Sequence, residues 1–525
     1  AELALSSFAL VDRALCTFLA CNMLQQILDL SLGSVILILS GIYLIYLFVQ
    51  YALDPLRDIP GPLLARFTRW WYFFEIYKGS FERSNIVLHK KYGPIVRVAP
   101  GEYSIDDVEA ARTIYGHGNA FVKAPWYWAW MPPNPSMASL FSDMNPHRHA
   151  TQRRKFSAWY SMSSLVGYEP FVNNCSSMLT HRFGEIANAG RTIDLQHYLQ
   201  CYAFDVIGEI TFGNRFGFLD MGEDKEGVFS AIDARGVYST FVGIFPWIHK
   251  YLFLLLPKTG GHGYVFNYTL RQIENRKQSL KDPKNAGREG PPDIMTKVLL
   301  AHEDNPEKMT KNDLITICQS NIGAGSDTTA ITLSSVFYHL MKYPQTYQKL
   351  QQEIDTAANE GRISEPVTFK EAQELPYLQA VIKEALRIHP ATGLPMQRIV
   401  PPEGTTIAGR FIPGSSSVGI NAWVAHQNTS IFGPDADTWR PERWLEIEDQ
   451  GRGGEVEKYV FAFGMGSRTC IGKNISLLEI SKLVPQMFRK FDFVLDEREE
   501  LRSLNRWFVK QQNFRARIVE RREKA

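Results

Sequence analysis

Between Asp29 and Asp54 the chain carries no charge: "LSLGSVILILSGIYLIYLFVQYAL" runs from Leu30 to Leu53. A stretch of about 20 apolar residues suffices to cross a bilayer as a helix, and buried core helices rarely stay uncharged for so long. The run is therefore expected to be a membrane anchor. Arg57, Arg66 and Arg69 follow it, whereas no Lys or Arg precedes it back to Arg13. That bias places the C-terminal body in the cytosol. The apolar segment before it, within residues 1–29, is short for a crossing and lacks a basic start, which suits an interfacial position or half of a hairpin. "DPLRDIPGP" then stiffens residues 54–62 with Pro55, Pro60 and Pro62, a hinge that stops the helix.

The rest, residues 63–525, shows no Gly/Ser linker, composition break or internal repeat and is expected to form one large domain. Of the 525 residues 45% are hydrophobic and 21% charged, which suits a globular core and argues against disorder. A net charge of +2 disfavours nucleic acid as a partner. The six cysteines are scattered without a CxxC pair, unlike a disulfide framework. "YGPIVRVAPGEYSID" reads as a β-hairpin, and most later segments read as helices.

The clearest helix begins at "TKNDL", where Thr310 and Asp313 have capping-box spacing, and continues to Tyr343 before Pro344. In its middle sits "GAGSDTT", residues 323–329, made of mediocre to poor helix formers. Two explanations stand: a neighbouring helix packs closely on the glycines, or small residues at Ala324 and its neighbours admit a flat ligand beside Asp327 and Thr328. A second helix is expected from Pro376 to just before Pro390, with Glu384 and Arg387 on one face. "RPERWL" supplies Arg443, and two arginines about one carboxylate can build a buried network that fixes loop geometry.

"FGMGSRTCIG", residues 463–472, sets Cys470 among three glycines with Arg468 nearby and Phe463 in front. A thiolate needs a lowered pKa, which amides exposed by glycines can supply. No second cysteine or CxH spacing offers zinc a site, and no paired His suggests a cysteine protease. One thiolate on one face of a macrocycle-bound iron fits better.

These motifs together resemble the cytochrome P-450 haem-thiolate monooxygenases. "FGMGSRTCIG" matches the family's Phe-x-x-Gly-x-Arg-x-Cys-x-Gly pattern, "AGSDTT" is similar to its oxygen-activating motif, and "EALR" and "PERW" follow in family order. Thiolate ligation of haem is that family's hallmark, so the assignment of iron to Cys470 comes with the resemblance. "HATQRRKFS" resembles the helix that contacts the haem propionates, with Arg153 at the usual arginine and His149 where many relatives have tryptophan. Arg398 in "LPMQR" resembles a further propionate ligand. The texture is similar to fungal members of secondary metabolism such as the pisatin demethylase-like group.

The resemblance implies a mainly α fold with small β-sheets, the cytochrome P-450 fold, preceded by the N-terminal transmembrane helix. It implies haem b on Cys470, Thr328 hydrogen-bonding dioxygen and Asp327 relaying protons. Glu384, Arg387 and Arg443 hold the cysteine loop, and Phe463 limits water there. Electrons are expected from NADPH through a partner reductase, with the protein in the endoplasmic reticulum membrane facing the cytosol. The substrate pocket is expected to use Trp126 and Trp128 of "APWYWAWMPP", Phe241, Ala324, and Trp507 and Phe508 of "RWFVK". An apolar, aromatic-walled pocket points to a lipophilic small molecule. A haem-thiolate isomerase or dehydratase would need no proton relay, and a non-catalytic haem sensor would have no reason to keep "GAGSDTT".

Overall fold

The computed structural model describes residues 31–257, 259–282, 291–496, 498 and 500–521, so the expectations for residues 1–29 lie outside the described residues. Two compact units result, Ala1–Ile59 and Pro60–Ala525. The first contains the helix Leu32–Leu53, opened by Ser31, whose hydroxyl accepts from the Ser34 amide. Its stretch Ile36–Leu53 is long and apolar enough to cross a membrane, and none of it is buried.

The second unit is mostly helical with small sheets. Its largest sheet has five strands in the order Ile95–Ala99, Glu102–Ile105, Ser417–Ile420, Arg398–Ile399 and Val122–Lys123. The expected hairpin is its first pair, antiparallel. The strand Ile95–Ala99 is buried throughout, Arg97 included, so the apolar-polar alternation there does not mark a solvent face. At the far edge Val122–Lys123 pairs antiparallel with Arg398–Ile399, and the register puts Lys123 opposite Arg398. Near the C-terminus Arg502–Arg506 and Phe508–Gln512 form a hairpin turned at Trp507, whose φ of 77° is left-handed. A bulky residue there is strained, and Trp507 is nevertheless buried.

The capping box forms as expected, with Thr310 and Asp313 bonding reciprocally. The long helix, however, is interrupted: one segment spans Lys311–Ala324 and the next Asp327–Lys342. The reason lies partly in packing. A Cβ on Gly325 would stand 2.9 Å from Ile207 Cγ1, so the neighbouring helix Leu195–Phe212 comes as close as only a glycine permits. The second expected helix forms over Pro376–Ile388. The main core gathers Leu199 and Phe204 of Leu195–Phe212, Leu333 and Phe337 of Asp327–Lys342, and Leu483 and Phe488 of the helix Lys473–Lys490.

Candidate active site

The cysteine loop is built by constraints on its glycines. Gly464 has φ 69° and Gly466 φ 63°. A Cβ on Gly466 would fall 1.9 Å from the Tyr115 carbonyl oxygen, so no side chain fits there. The Cys470 amide donates to the Phe463 carbonyl at 2.8 Å, which closes the loop. Half-buried Phe463 packs on the main core, with the Lys473 ammonium 5.7 Å from its ring centroid.

Cys470 is deep within the protein yet accessible, which puts its sulfur on the wall of an internal space. Burial pushes its thiol pKa up, while hydrogen bonds from the Gly472 and Lys473 amides and the charge of Arg153 work in the opposite direction. The expected amide donors are there. The expected net lowering is not, because desolvation outweighs them in the chain by itself.

Cations crowd the neighbourhood. Arg153, on the helix Pro146–Phe156, donates to the Thr469 carbonyl at 2.7 Å, and Arg468 donates to the Asp143 carbonyl at 2.8 Å. Arg398 donates to Tyr127 Oη at 3.3 Å and lies over the Tyr115 ring. Buried Lys123 has its pKa driven well down, first by desolvation and then by Arg398, Arg468 and Arg153. His149 is pushed down to about 3 by burial and by the same cations. Arg468 is lowered to about 10, by desolvation and then Arg398. Asp143 is the acid that offsets Lys123 and Arg468 among the described residues, and Arg148 already binds it through two bonds of 2.7 Å. Such an excess of cations calls for anions from outside the chain. Lys123 escaped the sequence reading; what could have found it is its place just ahead of "APWYWAW".

The Glu384 network is dense. Arg387 grips Glu384 bidentately at 2.8 and 2.7 Å and donates to the carbonyls of His426, Ala436 and Thr438. Glu384 also accepts from Trp444 Nε1 and the Arg440 amide, each at 2.9 Å. Arg443 stands farther off, its Nε 3.6 Å from Glu384, and binds Asp435 at 2.7 Å instead. His426 carries the network to the cysteine loop: its Nε2 accepts from the Phe461 amide at 2.8 Å, so Nδ1 donates to the Arg387 carbonyl at 2.9 Å. Nothing in the sequence around His426 marks this role.

On the interrupted helix, Thr328 Oγ1 donates to the Ala324 carbonyl at 2.9 Å; Ala324 is exposed and Thr328 half-buried. Asp327 is buried, its carboxylate taken by Gln200 Nε2 at 2.7 Å and Lys510 Nζ at 2.8 Å. Lys510 also binds Asp233, whose side chain is 54% exposed, which links the buried acid to solvent. Thr329 and Ser476 hydroxyls meet at 3.0 Å and join this helix to the one that follows Cys470.

Among the expected pocket residues, Trp126 and Trp507 meet with ring centroids 4.8 Å apart, and Phe241 and Phe508 pack in the same cluster. Trp126 rests on Gly243, where a Cβ would come within 2.6 Å of its ring. Trp128 is 40% exposed and stays outside this cluster, because the 3-10 turn Pro125–Trp130 turns Tyr127 and Trp130 inward instead. A cavity of about 270 Å³ lies between Trp126, Ile244, Gln397 and the Arg69–Glu102 ion pair, away from Cys470 and Thr328.

A mainly helical unit that sets one cysteine on a glycine loop, tied through Ser476 and Thr329 to an interrupted helix and beside unbalanced cations, is the type of protein that haem-thiolate enzymes are. The family model described as Cytochrome P450 matches residues 60–515, and the chain belongs to the cytochrome P450 family. It is 38% identical over 474 residues to pisatin demethylase of Fusarium vanettenii, covering 89% of this chain and 90% of that protein. It is 37% identical over 477 residues to cytochrome P450 monooxygenase cicH of Emericella nidulans, covering 89% and 94%. A third relative, cytochrome P450 monooxygenase hepC of Aspergillus oryzae, is 34% identical over 478 residues, covering 86% and 90%. The chain is thus a cytochrome P450 monooxygenase similar to these fungal enzymes, and its family implies haem.

Proposed function

We propose that this protein is a membrane-anchored monooxygenase that inserts one oxygen atom from O2 into a lipophilic small molecule, with electrons from NADPH through a separate reductase. The observation that carries it is the pairing of an inward-facing thiol at Cys470 with the excess of cations at Lys123, Arg153, Arg398, Arg468 and His149. One thiolate position and room for two carboxylates are what haem b requires, so the residues present fit that group. Bound there, haem supplies dioxygen activation, favoured by electron density from the cysteine.

The chain's own residues do the rest. Gly472 and Lys473 donate amide hydrogens to sulfur and steady its charge. Arg153, Arg398 and Arg468 take carboxylates and hold the orientation. Thr328 would offer a hydroxyl toward dioxygen, and Asp327 would move protons inward along Lys510 and Asp233 from solvent. Glu384, Arg387 and His426 keep the cysteine loop from shifting. Trp126, Phe241, Trp507 and Phe508 exclude water and bind apolar surface.

Attachment to the endoplasmic reticulum membrane through Leu32–Leu53, with the body in the cytosol, is supported by exposed apolar side chains in the second unit as well. Trp70 is 50% exposed, Phe74 56%, Leu254 79% and Leu255 80%. The Trp70 and Phe245 ring centroids lie 4.8 Å apart, which joins the first of these segments to the end of the helix Val228–Ile244. Exposed apolar side chains of this kind suit lipid contact.

The test is direct. The reduced protein with CO should give the thiolate-type spectrum, and NADPH with a reductase should add oxygen to a lipophilic precursor detected by mass spectrometry. A CO complex without the thiolate signature would refute the assignment of Cys470.

A further inference from the structure

One buried cation belongs to none of the networks above. Arg235 lies on the helix Val228–Ile244, whose other end carries Phe241 and Gly243. Among the described residues its guanidinium makes a single hydrogen bond, from Nη2 to the Trp130 carbonyl at 3.1 Å, and its Nε is buried with no partner. Burial alone lowers its pKa, to about 10, with no carboxylate among the described residues contributing, so it stays charged at neutral pH with no counter-ion among them. Like Cys470, it is enclosed by protein yet retains accessible surface, which places it on an internal wall. Its position on that wall is fixed by Gly323: a Cβ there would stand 3.2 Å from Arg235 Nη1. Gly323 lies at the end of the segment Lys311–Ala324, just before the interruption, so the guanidinium sits beside the helix end that leads to Asp327 and Thr328. The cations around Cys470 form a separate group, since Arg235 contributes to none of their shifts.

A buried cation without a partner is costly, by an amount that exceeds what packing of its stem returns. Small residues at Gly323 and Ala324 leave its planar fork free to grip two oxygens at once. Trp130, which accepts one of its hydrogens, has an indole N–H that is buried and unpartnered, a further donor on the same turn.

We propose that Arg235 is the anchor for an anionic group of the substrate, and that the substrate is a lipophilic acid: an apolar skeleton with one carboxylate or comparably acidic oxygen. This rests on the monooxygenase reading and narrows its substrate class. The carboxylate pairs with Arg235 while the skeleton lies on the aromatic cluster of Trp126 and Trp507, so the acid end sets which carbon faces the oxidising centre.

The experiment uses the full-length, haem-loaded enzyme and matched probes: dodecanoic, 2-naphthoic and 4-biphenylcarboxylic acids against their methyl esters, titrated by the shift of the ferric spectrum. At least one acid should bind roughly 10- to 100-fold more tightly than its ester, as expected for a charge-assisted bidentate contact. Arg235→Gln should remove that preference, and Arg235→Lys should keep part of it. Thermal unfolding adds a readout free of ligand: Arg235→Met should melt no lower than the unsubstituted protein, because no internal ion pair is lost. A wild-type enzyme that favours no acid over its ester, a preference that survives Arg235→Gln, or a large fall in melting temperature for Arg235→Met overturns the proposal. Loss of the thiolate CO signature in the unsubstituted enzyme would instead sink the functional reading on which it rests.

Discussion

Arg387 and Arg235 are both enclosed guanidinium groups, each offering five N–H donors, and they are treated in opposite ways. Arg387 has all of them engaged, two on Glu384 and the others on the carbonyls of His426, Ala436 and Thr438. Among the described residues Arg235 has one hydrogen bond and no carboxylate partner. The difference separates a group that holds the fold from one kept ready for something outside it. A saturated polar network rigidifies its surroundings, and Arg387 lies behind the cysteine loop, where movement would displace the sulfur. An unsaturated one costs stability until a ligand completes it, and Arg235 lies beside the end of the segment Lys311–Ala324, just before the interruption that leads to Thr328.

The largest effect expected on the saturated side is at the sulfur itself. Cys470→Ser replaces a thiolate with a neutral hydroxyl, a poor ligand, and the thiolate-type CO spectrum should vanish altogether. A spectrum unchanged by that substitution would mean that the loop is not the ligand loop, and the contrast between the two sides would lose its basis.

Next comes Arg387→Met. Glu384 would remain fully buried with its bidentate partner gone, a loss of about 3–5 kcal/mol for a broken internal pair. Urea unfolding should show most of that loss, and much of the protein should be recovered without haem. The same change at Arg235 is expected to cost little or nothing. If both substitutions destabilise equally, the two arginines are alike and the comparison fails.

The opposite face should respond in function before stability. Thr328→Ala removes one hydroxyl whose hydrogen bond in the chain goes to the Ala324 carbonyl. Haem loading and the CO spectrum should survive, while peroxide released per NADPH rises and coupling to product falls on the order of tenfold or more. Coupling equal to that of the unsubstituted enzyme would reduce the interruption at Gly325 and Ser326 to a matter of packing on Ile207.

What the sequence made legible follows the same division. Residues close in the chain announce themselves: Cys470 with its glycines, Glu384 three residues from Arg387, and the weak helix formers from Gly323 onward. The fold class and the family could be read from these, and the structure agrees. Partners brought together only by folding could not. Gln200 reaches Asp327 across 127 residues of sequence, and Lys510 reaches it from the C-terminal hairpin. Arg235 sits in "AIDARGVYST", an unremarkable amphipathic stretch; its lack of a counter-ion is a property of the assembled interior. The thiol's pKa was misjudged because glycine amides are visible in a sequence and desolvation is not. Trp128 was misplaced because a 3-10 turn distributes neighbours differently from an α-helix.

The smallest effect concerns His426, the bridge between the saturated network and the cysteine loop, and it tests how firmly that bridge is set. Burial holds its pKa down to about 3, against a bond to the Arg387 carbonyl that pulls the other way. The neutral ring is required, since Nε2 must accept from the Phe461 amide. Above pH 6.5 the ring is neutral in both folded and unfolded chains and contributes no pH dependence. Below 6.5 the unfolded chain takes up a proton that the folded one refuses, so stability falls as pH falls, continuing toward about 3. At about 1.4 kcal/mol per pH unit, His426 alone accounts for a loss of about 2 kcal/mol at pH 5. His339 and His389, both lowered to about 4 by burial, add to the slope. Urea unfolding between pH 7 and 5 should therefore show steady loss in the unsubstituted protein. In His426→Gln, whose amide can donate to one partner and accept from the other, the slope should be shallower by about one proton. A slope that does not change would mean His426 is already exposed to protons in the folded state, and the loop is not held through it.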